Sequence, residues 1–278
     1  FNQKNTEVQI KGSVYIDTWS PQYPIELKNS SNVQSKDDDE DDFNLNDYTL
    51  TGNPNYNTSF TRFNDLGRNS YNIGISFSQI LSENIQTSFI SDFILQDGLL
   101  STPHQRVMFG DIENTMIEDF TLGNDVERLP ETRFKIAIAN RTNFYLNQNF
   151  ILRSYYRFYT DDWGINSHTY KIELPVKLGI NFTFYPSYRY YTQTSADYFN
   201  EFDQALSTDE FYTSDYDLAE YDAHQYGLGF KYYDPLNKLR VGGFGLKSIN
   251  IDFNQYSRTS QNFDGFFTSI GLSFSALK

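Results

Sequence analysis

Apolar and polar residues alternate along most of this chain with a period of two. The clearest case is "HTYKIELPVKL" (168–178), in which every second residue is an apolar or ring side chain and the residues between are polar or proline. Such alternation is typical of a β-strand with one apolar and one polar face. About ten runs follow this scheme, near residues 6–19, 69–82, 85–97, 131–146, 149–160, 165–178, 181–194, 223–233, 239–254 and 263–275. Near Lys247 and Ser248 the alternation changes phase, which predicts a β-bulge.

The connections between these runs alternate between short and long. "SEN", "NQN", "LGIN" and "DPLNK" are short polar links, whereas long loops cover about 20–68, 98–130 and 195–222. A tilted strand needs about 9–11 residues to cross a bilayer, and these runs are long enough. Short turns on one side and long loops on the other are typical of bacterial outer-membrane barrels. The sequence therefore predicts an all-β fold, with residues 1–278 forming a single antiparallel transmembrane β-barrel of about ten strands, short periplasmic turns and long acidic extracellular loops.

Composition is compatible with this fold and excludes several chemistries. The 278 residues are 18% aromatic, which suits a sheet with an aromatic apolar face. No run approaches the roughly 18 apolar residues of a transmembrane helix, but a barrel needs none. The chain has 0 Cys, which excludes disulfides, thiolate metal sites and thiol catalysis. It begins at Phe1 without an initiator Met, which predicts a processed or trimmed protein.

Charge is distributed unevenly over the predicted barrel. The net charge is −14, with most acids in the long loops, while basic residues occupy the polar positions of the strands. One lumen is predicted to receive Arg133, Lys135, Arg141, Arg153, Arg157, Lys171, Lys177, Arg189 and Lys231, together with the acids Glu173 and Asp92. These cations could pair with acids and tyrosines and fill a narrow barrel, or they could form a constriction that favours anions. For ten to twelve strands the sequence favours the filled lumen.

Four segments carry a resemblance to a known family. They are "ERLPETR" (127–133), "RFYTDDWGINSHT" (157–169), "YPSYRYYTQTSADYF" (185–199) and "FYTSDYDLAEYDAHQYGLGFKY" (211–232). From about Tyr71 onward the chain resembles the outer-membrane β-barrels of domain-of-unknown-function family 3570, found in Bacteroidota and other Gram-negative bacteria. The resemblance implies location in the cell outer membrane, a further N-terminal strand pair that would give about twelve strands, and a lipoprotein or redox partner. It implies no established activity.

One cluster in this sequence could carry chemistry at the outer rim. The outer hairpin tip comprises Asp161, Asp162, Trp163 and Gly164. Its aspartates could act with His168 and His224 in a rim hydrolase, but both histidines are in phase with apolar residues, which predicts that they face lipid. Adjacent aspartates followed by glycine fit a turn, and Trp163 fits an interfacial anchor.

The acidic loops provide the other candidate sites. The run "DDDEDD" (37–42) could bind a cation, but it lacks the spacing of an organised calcium loop and is predicted to be a solvated acid run. The second acidic loop, "DEFYTSDYDLAEYD" (209–222), interleaves aromatics with acids and could form a lid or a partner surface. No cofactor or metal site is predicted. The acidic exterior argues against nucleic-acid binding.

The function that the sequence favours is non-enzymatic. We expect an integral outer-membrane scaffold or accessory subunit of an envelope complex, in contact with outer-membrane lipid and with another envelope protein or lipoprotein. The alternative is a narrow, anion-favouring transport barrel with a basic lumen. A rim-located hydrolase is the third hypothesis.

Overall fold

The computed structural model describes residues 5–19, 66–111, 116–117, 120–121, 124–236, 238–241 and 243–276. Within these residues the strands pair with one another in antiparallel ladders, and one 3-10 turn lies at Ser260–Asn262. None of the described residues belongs to a helix long and apolar enough to span a membrane. The acid run at 37–42 lies outside the described residues, as does nearly all of the first long loop.

In the part of the chain that the structure describes, sixteen strands form one large sheet and two small ones. They are β1 (Thr6–Trp19), β2 (Leu66–Ser82), β3 (Ile85–Gly98), β4 (Arg106–Met108), β5 (Met116–Ile117), β6 (Phe120–Thr121), β7 (Asn124–Val126), β8 (Thr132–Tyr145), β9 (Ile151–Asp161), β10 (Asn166–Glu173), β11 (Val176–Leu178), β12 (Phe182–Gln193), β13 (Tyr221–Tyr233), β14 (Arg240–Val241), β15 (Phe244–Arg258) and β16 (Phe263–Ala276). The large sheet has 12 strands and runs β1-β2-β3-β8-β9-β10-β12-β13-β15, with β16 on the far side of β15, β11 beside β12 and β14 beside β15. The predicted all-β antiparallel fold is confirmed, and each alternating run coincides with one long strand or an interrupted one.

The large sheet has two chemically different faces. We call the face that carries Lys171 and Arg189 the polar face and the opposite one, which carries Ile172, the apolar face. On the apolar face large side chains remain open, with Ile73 57%, Ile172 55% and Leu228 53% exposed. Soluble sheets bury an apolar face against a second layer. No layer of described residues covers this one.

The sheet is open along its two edges. Strands β1 and β16 each pair with a single neighbour, and among the described residues no ladder joins them. Residues of both strands are exposed on both faces almost throughout. The described residues therefore form a continuous wall of strands.

The predicted irregularity near Ser248 is present. The register between β15 and β16 shifts between Leu246 and Ser248, so a β-bulge lies there. The carbonyl of the intervening Lys247 accepts a 2.9 Å hydrogen bond from the backbone N–H of Asp234. A second shift, between Ile80 and Ser82, was not predicted.

Two of the long loops pack together at one end of the sheet. We call residues 99–111, 124–131 and 194–220 the folded loop unit. Its core consists of Val107, Phe109, Ala205 and Tyr212, all buried. A parallel bridge joins Phe109 to Ala205. The backbone N–H groups of Arg128 and Tyr212 each donate a hydrogen bond to the carbonyl of the other residue. The acidic loop at 209–222 is therefore an ordered partner of the preceding long loop.

A buried carboxyl joins the two loops. Glu127 is 1% exposed and accepts hydrogen bonds from the backbone N–H of Thr102 and the hydroxyl of Thr213. Burial penalises its charged form and raises the pKa of Glu127 above its usual range. A raised folded-state pKa adds stability below the unfolded pKa of the group, and that contribution is lost as pH rises through the folded pKa.

We expect the folded loop unit to be tighter near pH 4 than near pH 7, because protonation relieves the buried charge of Glu127. Glu127→Gln removes this dependence, since an amide can accept from the Thr102 N–H and donate to the Thr213 hydroxyl. Glu127→Ala leaves the Thr102 N–H and the hydroxyl hydrogen of Thr213 without their acceptor, at a cost of about 2 kcal/mol. Amide hydrogen exchange over 205–213, corrected for intrinsic rates, measures these changes. The exposed Glu131→Gln is the matched control, and an equal pH dependence in Glu127→Gln would contradict the prediction.

Candidate functional site

A cavity on the polar face gathers residues from neighbouring strands. We call it the basic pocket. It is lined by Arg141, Arg153, Arg157, Lys171, Glu173 and Arg189, among others, and has a volume of about 560 Å³. The ladder brings them together because Arg141 pairs with Tyr155, Tyr155 with Lys171, and Lys171 with Arg189. Five cations thus share one concavity.

A single carboxylate balances part of this charge. Glu173 is the only acid among the lining residues, and its oxygens contact Arg153 at 2.7 Å and Lys171 at 3.3 Å. No described carboxylate forms an ion pair with Arg141, Arg157 or Arg189. The basic pocket therefore keeps a net positive charge.

Tyrosine rings support the three arginines that lack a carboxylate. The Arg141 guanidinium lies 5.6 Å from the ring centre of Tyr155. Arg157 and Arg189 lie 5.8 Å and 5.9 Å from the rings of Tyr159 and Tyr191. These distances are within the range of a cation–π contact. A ring orders one side of a guanidinium and leaves its N–H groups available to an anion.

A second cavity lies on the same face toward the short turns. This lower pocket, of about 970 Å³, is lined by Arg153, Glu173, Lys177, Tyr185, Lys231 and Asp252, among others. It shares Arg153 and Glu173 with the basic pocket. Its cations face two carboxylates, so it is less positive. Both cavities lie on the polar face of the described sheet, and the filled lumen that the sequence favours stays a prediction.

The remaining predicted lumen residues lie elsewhere on the sheet. Arg133 pairs with Asp161 at the long-loop end, and Lys135 is opposite Asp161 in the ladder. Asp92 lines a separate cavity near the sheet edge with Lys11. The structure thus divides the predicted lumen residues into a central group in the basic pocket and one group toward each end of the sheet. Asp92 lies apart from these groups, near the sheet edge.

The hairpin tip is organised around one aspartate. Asp161 has a fully buried side chain, 0% exposed, and pairs with Arg133. It also accepts hydrogen bonds from the hydroxyl of Tyr159 at 2.7 Å and from the backbone N–H groups of Trp163 and Ile165 at 3.1 and 3.0 Å. The Asp161 carboxylate therefore has several hydrogen-bond partners within the protein, and it stabilises the turn.

The side chain of Trp163 does not have the role predicted for it. It is 3% exposed, its indole N–H donates to the carbonyl of Thr132 at 3.0 Å, and the Arg133 guanidinium lies 4.2 Å above its ring. A buried indole cannot anchor the chain in a membrane interface, so the prediction of an interfacial anchor was wrong. The next residue, Gly164, has φ of +89°, and a Cβ there would collide with the carboxylate of Asp197. The tip therefore fits closely against the folded loop unit.

The residues of the hypothetical rim hydrolase do not converge. The Nδ1 of His168 is 2.9 Å from the Tyr156 hydroxyl, and that of His224 is 2.9 Å from the Tyr188 hydroxyl. Both histidines belong to stacked ring clusters on the apolar face. Asp161 belongs to the polar face. Among the described residues, no group of three His, Asp or Glu side chains is placed to hold a metal ion.

Comparison with known proteins identifies the family. The chain belongs to the family described as "Protein of unknown function (DUF3570)", whose model matches residues 1–268. This confirms the family resemblance seen in the sequence. No curated protein matches the chain.

Solved structures of two mutant forms of the ferric enterobactin receptor (PfeA) from Pseudomonas aeruginosa, one in complex with enterobactin, are similar to this chain. The TM-score is 0.44 in both cases, the identities are 10% and 11%, and the match covers 97% of this chain and 37% of the receptor chain. The chain therefore spans little over a third of the length of these receptors.

We expect Asp161→Ala to destabilise the hairpin tip by about 3 kcal/mol, because it leaves the buried Arg133 without its carboxylate. Hydrogen exchange at the amides of Trp163 and Ile165, together with thermal unfolding in detergent, measures the loss. Asp162→Ala is the matched control, since Asp162 is exposed and its carboxylate accepts one described bond, from the backbone N–H of Phe134. Similar losses in the two variants would contradict the role of Asp161.

Proposed function

We propose that this chain forms the wall of an outer-membrane β-barrel that passes small anionic solutes along a basic lumen. The observation that carries the proposal is the basic pocket, in which five cations surround one cavity with a single carboxylate. In this proposal the polar face lines the lumen and the apolar face contacts lipid.

The apolar face supports a membrane location. Its exposed side chains have no covering layer among the described residues, and such a face is costly in water. Most strands of the wall have 11 to 17 residues, and about 9–11 suffice to cross the hydrocarbon core with tilt. Near the long-loop end, rings of Tyr156, His168, Tyr188 and His224 cluster on this face. Aromatic side chains at that level suit a membrane–water interface.

The ion-pair pattern favours anion passage over a filled lumen. A cluster that only fills space is most stable when each cation has a carboxylate partner. Here Glu173 forms ion pairs with Arg153 and Lys171, whereas the other three cations contact tyrosine rings. A cavity with excess positive charge attracts anions and excludes cations. The local charge matters here more than the net −14 of the whole chain.

Conductance in planar bilayers tests the proposal. Under a KCl gradient we expect the full protein to give a reversal potential whose sign shows that chloride passes more readily than potassium. The double variant Arg157→Gln and Arg189→Gln removes two lumen charges, so we expect the chloride preference to fall by about half or more. Arg128→Gln removes a single positive charge from an exposed position on the folded loop unit and serves as control. A silent protein, or an unchanged selectivity in the double variant, would contradict the proposal.

The folded loop unit supports a second candidate function, that of a scaffold which docks another envelope protein. Loops that form their own buried core present a fixed surface at low entropic cost of binding. Phe202 is 68% exposed and Leu206 46% exposed on this unit, beside the acids Glu201 and Asp203. An exposed apolar tip within acidic surroundings suits a partner with an apolar contact and a basic rim.

For the scaffold function we expect mild detergent extraction to co-purify one partner in stoichiometric amount. Phe202→Asp is expected to abolish the association, because it places a charge at the apolar tip. Leu236→Asp introduces the same charge at a position 70% exposed in a short turn, at the opposite end of the sheet, and should leave the association intact. A lone, monodisperse protein in native extracts would count against this function.

A further inference from the structure

Within the proposed function, and resting on it, we infer that Glu173 is a built-in counter-ion of the basic pocket. The solute is then a multivalent oxyanion, with two or more phosphate or carboxylate groups, that binds by displacing this carboxylate. Glu173 thereby sets both the affinity and the charge class of the solute.

The position of Glu173 suits this role. It is the last residue of β10 and lines both the basic pocket and the lower pocket. Its side chain is 18% exposed, whereas those of its partners Arg153 and Lys171 are 51% and 42% exposed. A solute can therefore reach the two cations from the open side of the cavity and compete with Glu173 for their N–H groups.

The spread of the cations selects a multivalent solute. Adjacent strands lie about 4.8 Å apart, so Arg141 and Arg189, three strand steps apart, have backbones separated by about 14 Å. Along β9, Arg153 and Arg157 are four residues apart, which corresponds to about 13 Å. A monatomic anion can contact only a small part of this array. A solute with several oxyanion groups can contact several members at once, and guanidinium forks match phosphate and carboxylate geometry.

Displacement of Glu173 also explains how a bound solute could leave. Conduction requires binding that is favourable enough for entry and weak enough for release. The displaced carboxylate stays within the cavity and repels the solute. The lower pocket, with Glu173 and Asp252 against Arg153, Lys177 and Lys231, holds anions less strongly than the basic pocket. Glu173 thus lies between the strongly positive basic pocket and the less positive lower pocket on the same face.

Binding of tripolyphosphate to the detergent-solubilised full protein, measured by calorimetry, tests the inference. Glu173→Gln keeps the shape of the side chain and removes its charge, and we expect tripolyphosphate to bind about tenfold more tightly. Asp92→Asn removes an equal charge from a separate cavity on the same sheet and should leave tripolyphosphate affinity unchanged.

The possible results separate this inference from the proposed function. Equal affinity of wild type and Glu173→Gln would overturn the counter-ion role, and equal affinity for inorganic phosphate and tripolyphosphate would overturn the multivalent class. A pore that is chloride-selective but does not bind tripolyphosphate overturns the inference alone. A protein without anion selectivity overturns the proposed function itself. If Glu173→Gln is not recovered in folded form, Glu173→Ser is expected to tighten binding in the same direction, and weaker binding in that variant would overturn the inference.

Discussion

The register of the antiparallel sheet is the constraint on which the other features depend. Side chains alternate between faces with a period of two, so a slip of one residue would exchange the faces of a whole strand. A slip in β10 would turn Lys171 and Glu173 toward the apolar face and bring Ile172 into the cavity. The pocket therefore exists only while β9, β10 and β12 keep one register. The β-bulge at Ser248 accommodates one extra residue in β15, and the strand pairing on either side of the bulge stays regular.

The clustered cations lower the stability of the sheet. Like charges on one face repel, and removal from water adds a desolvation penalty. Water in the open cavity, the tyrosine rings and Glu173 each reduce the repulsion, but three arginines have no carboxylate partner among the described residues. A face selected only for stability would pair or replace them. Retention of unpaired charge is easier to understand if the solute itself supplies the missing anion.

Alternation alone was enough to predict the long strands of the large sheet, the phase shift near Ser248 and the shared face of the nine basic residues assigned to the lumen, but not the short strands β4 to β7. These features are local, because pleat direction follows from neighbouring positions in sequence. The folded loop unit could not be predicted, since it depends on contacts such as Thr213 to Glu127, 86 residues apart, in segments without periodicity. Trp163 was misassigned for the same reason. Its hydrogen bond to Thr132 and its contact with Arg133 come from a strand 30 residues earlier, and nothing in the local pattern indicates them. The division of the basic residues between pockets likewise depends on pairing across strands.

The acidic loops and the basic pocket act at different ranges. A charge in solvent is screened over about 8 Å at physiological ionic strength, whereas charges in a cavity are screened less. Acids on the exposed surface of the folded loop unit therefore contribute little to the potential at Lys171, several strand residues below. The carboxylate that does act there is Glu173, within ion-pair distance of two cations. For this reason the acidic net charge of the chain and an anion-binding lumen are compatible. The local balance around Glu173, and not the composition of the loops, determines the charge of the proposed solute.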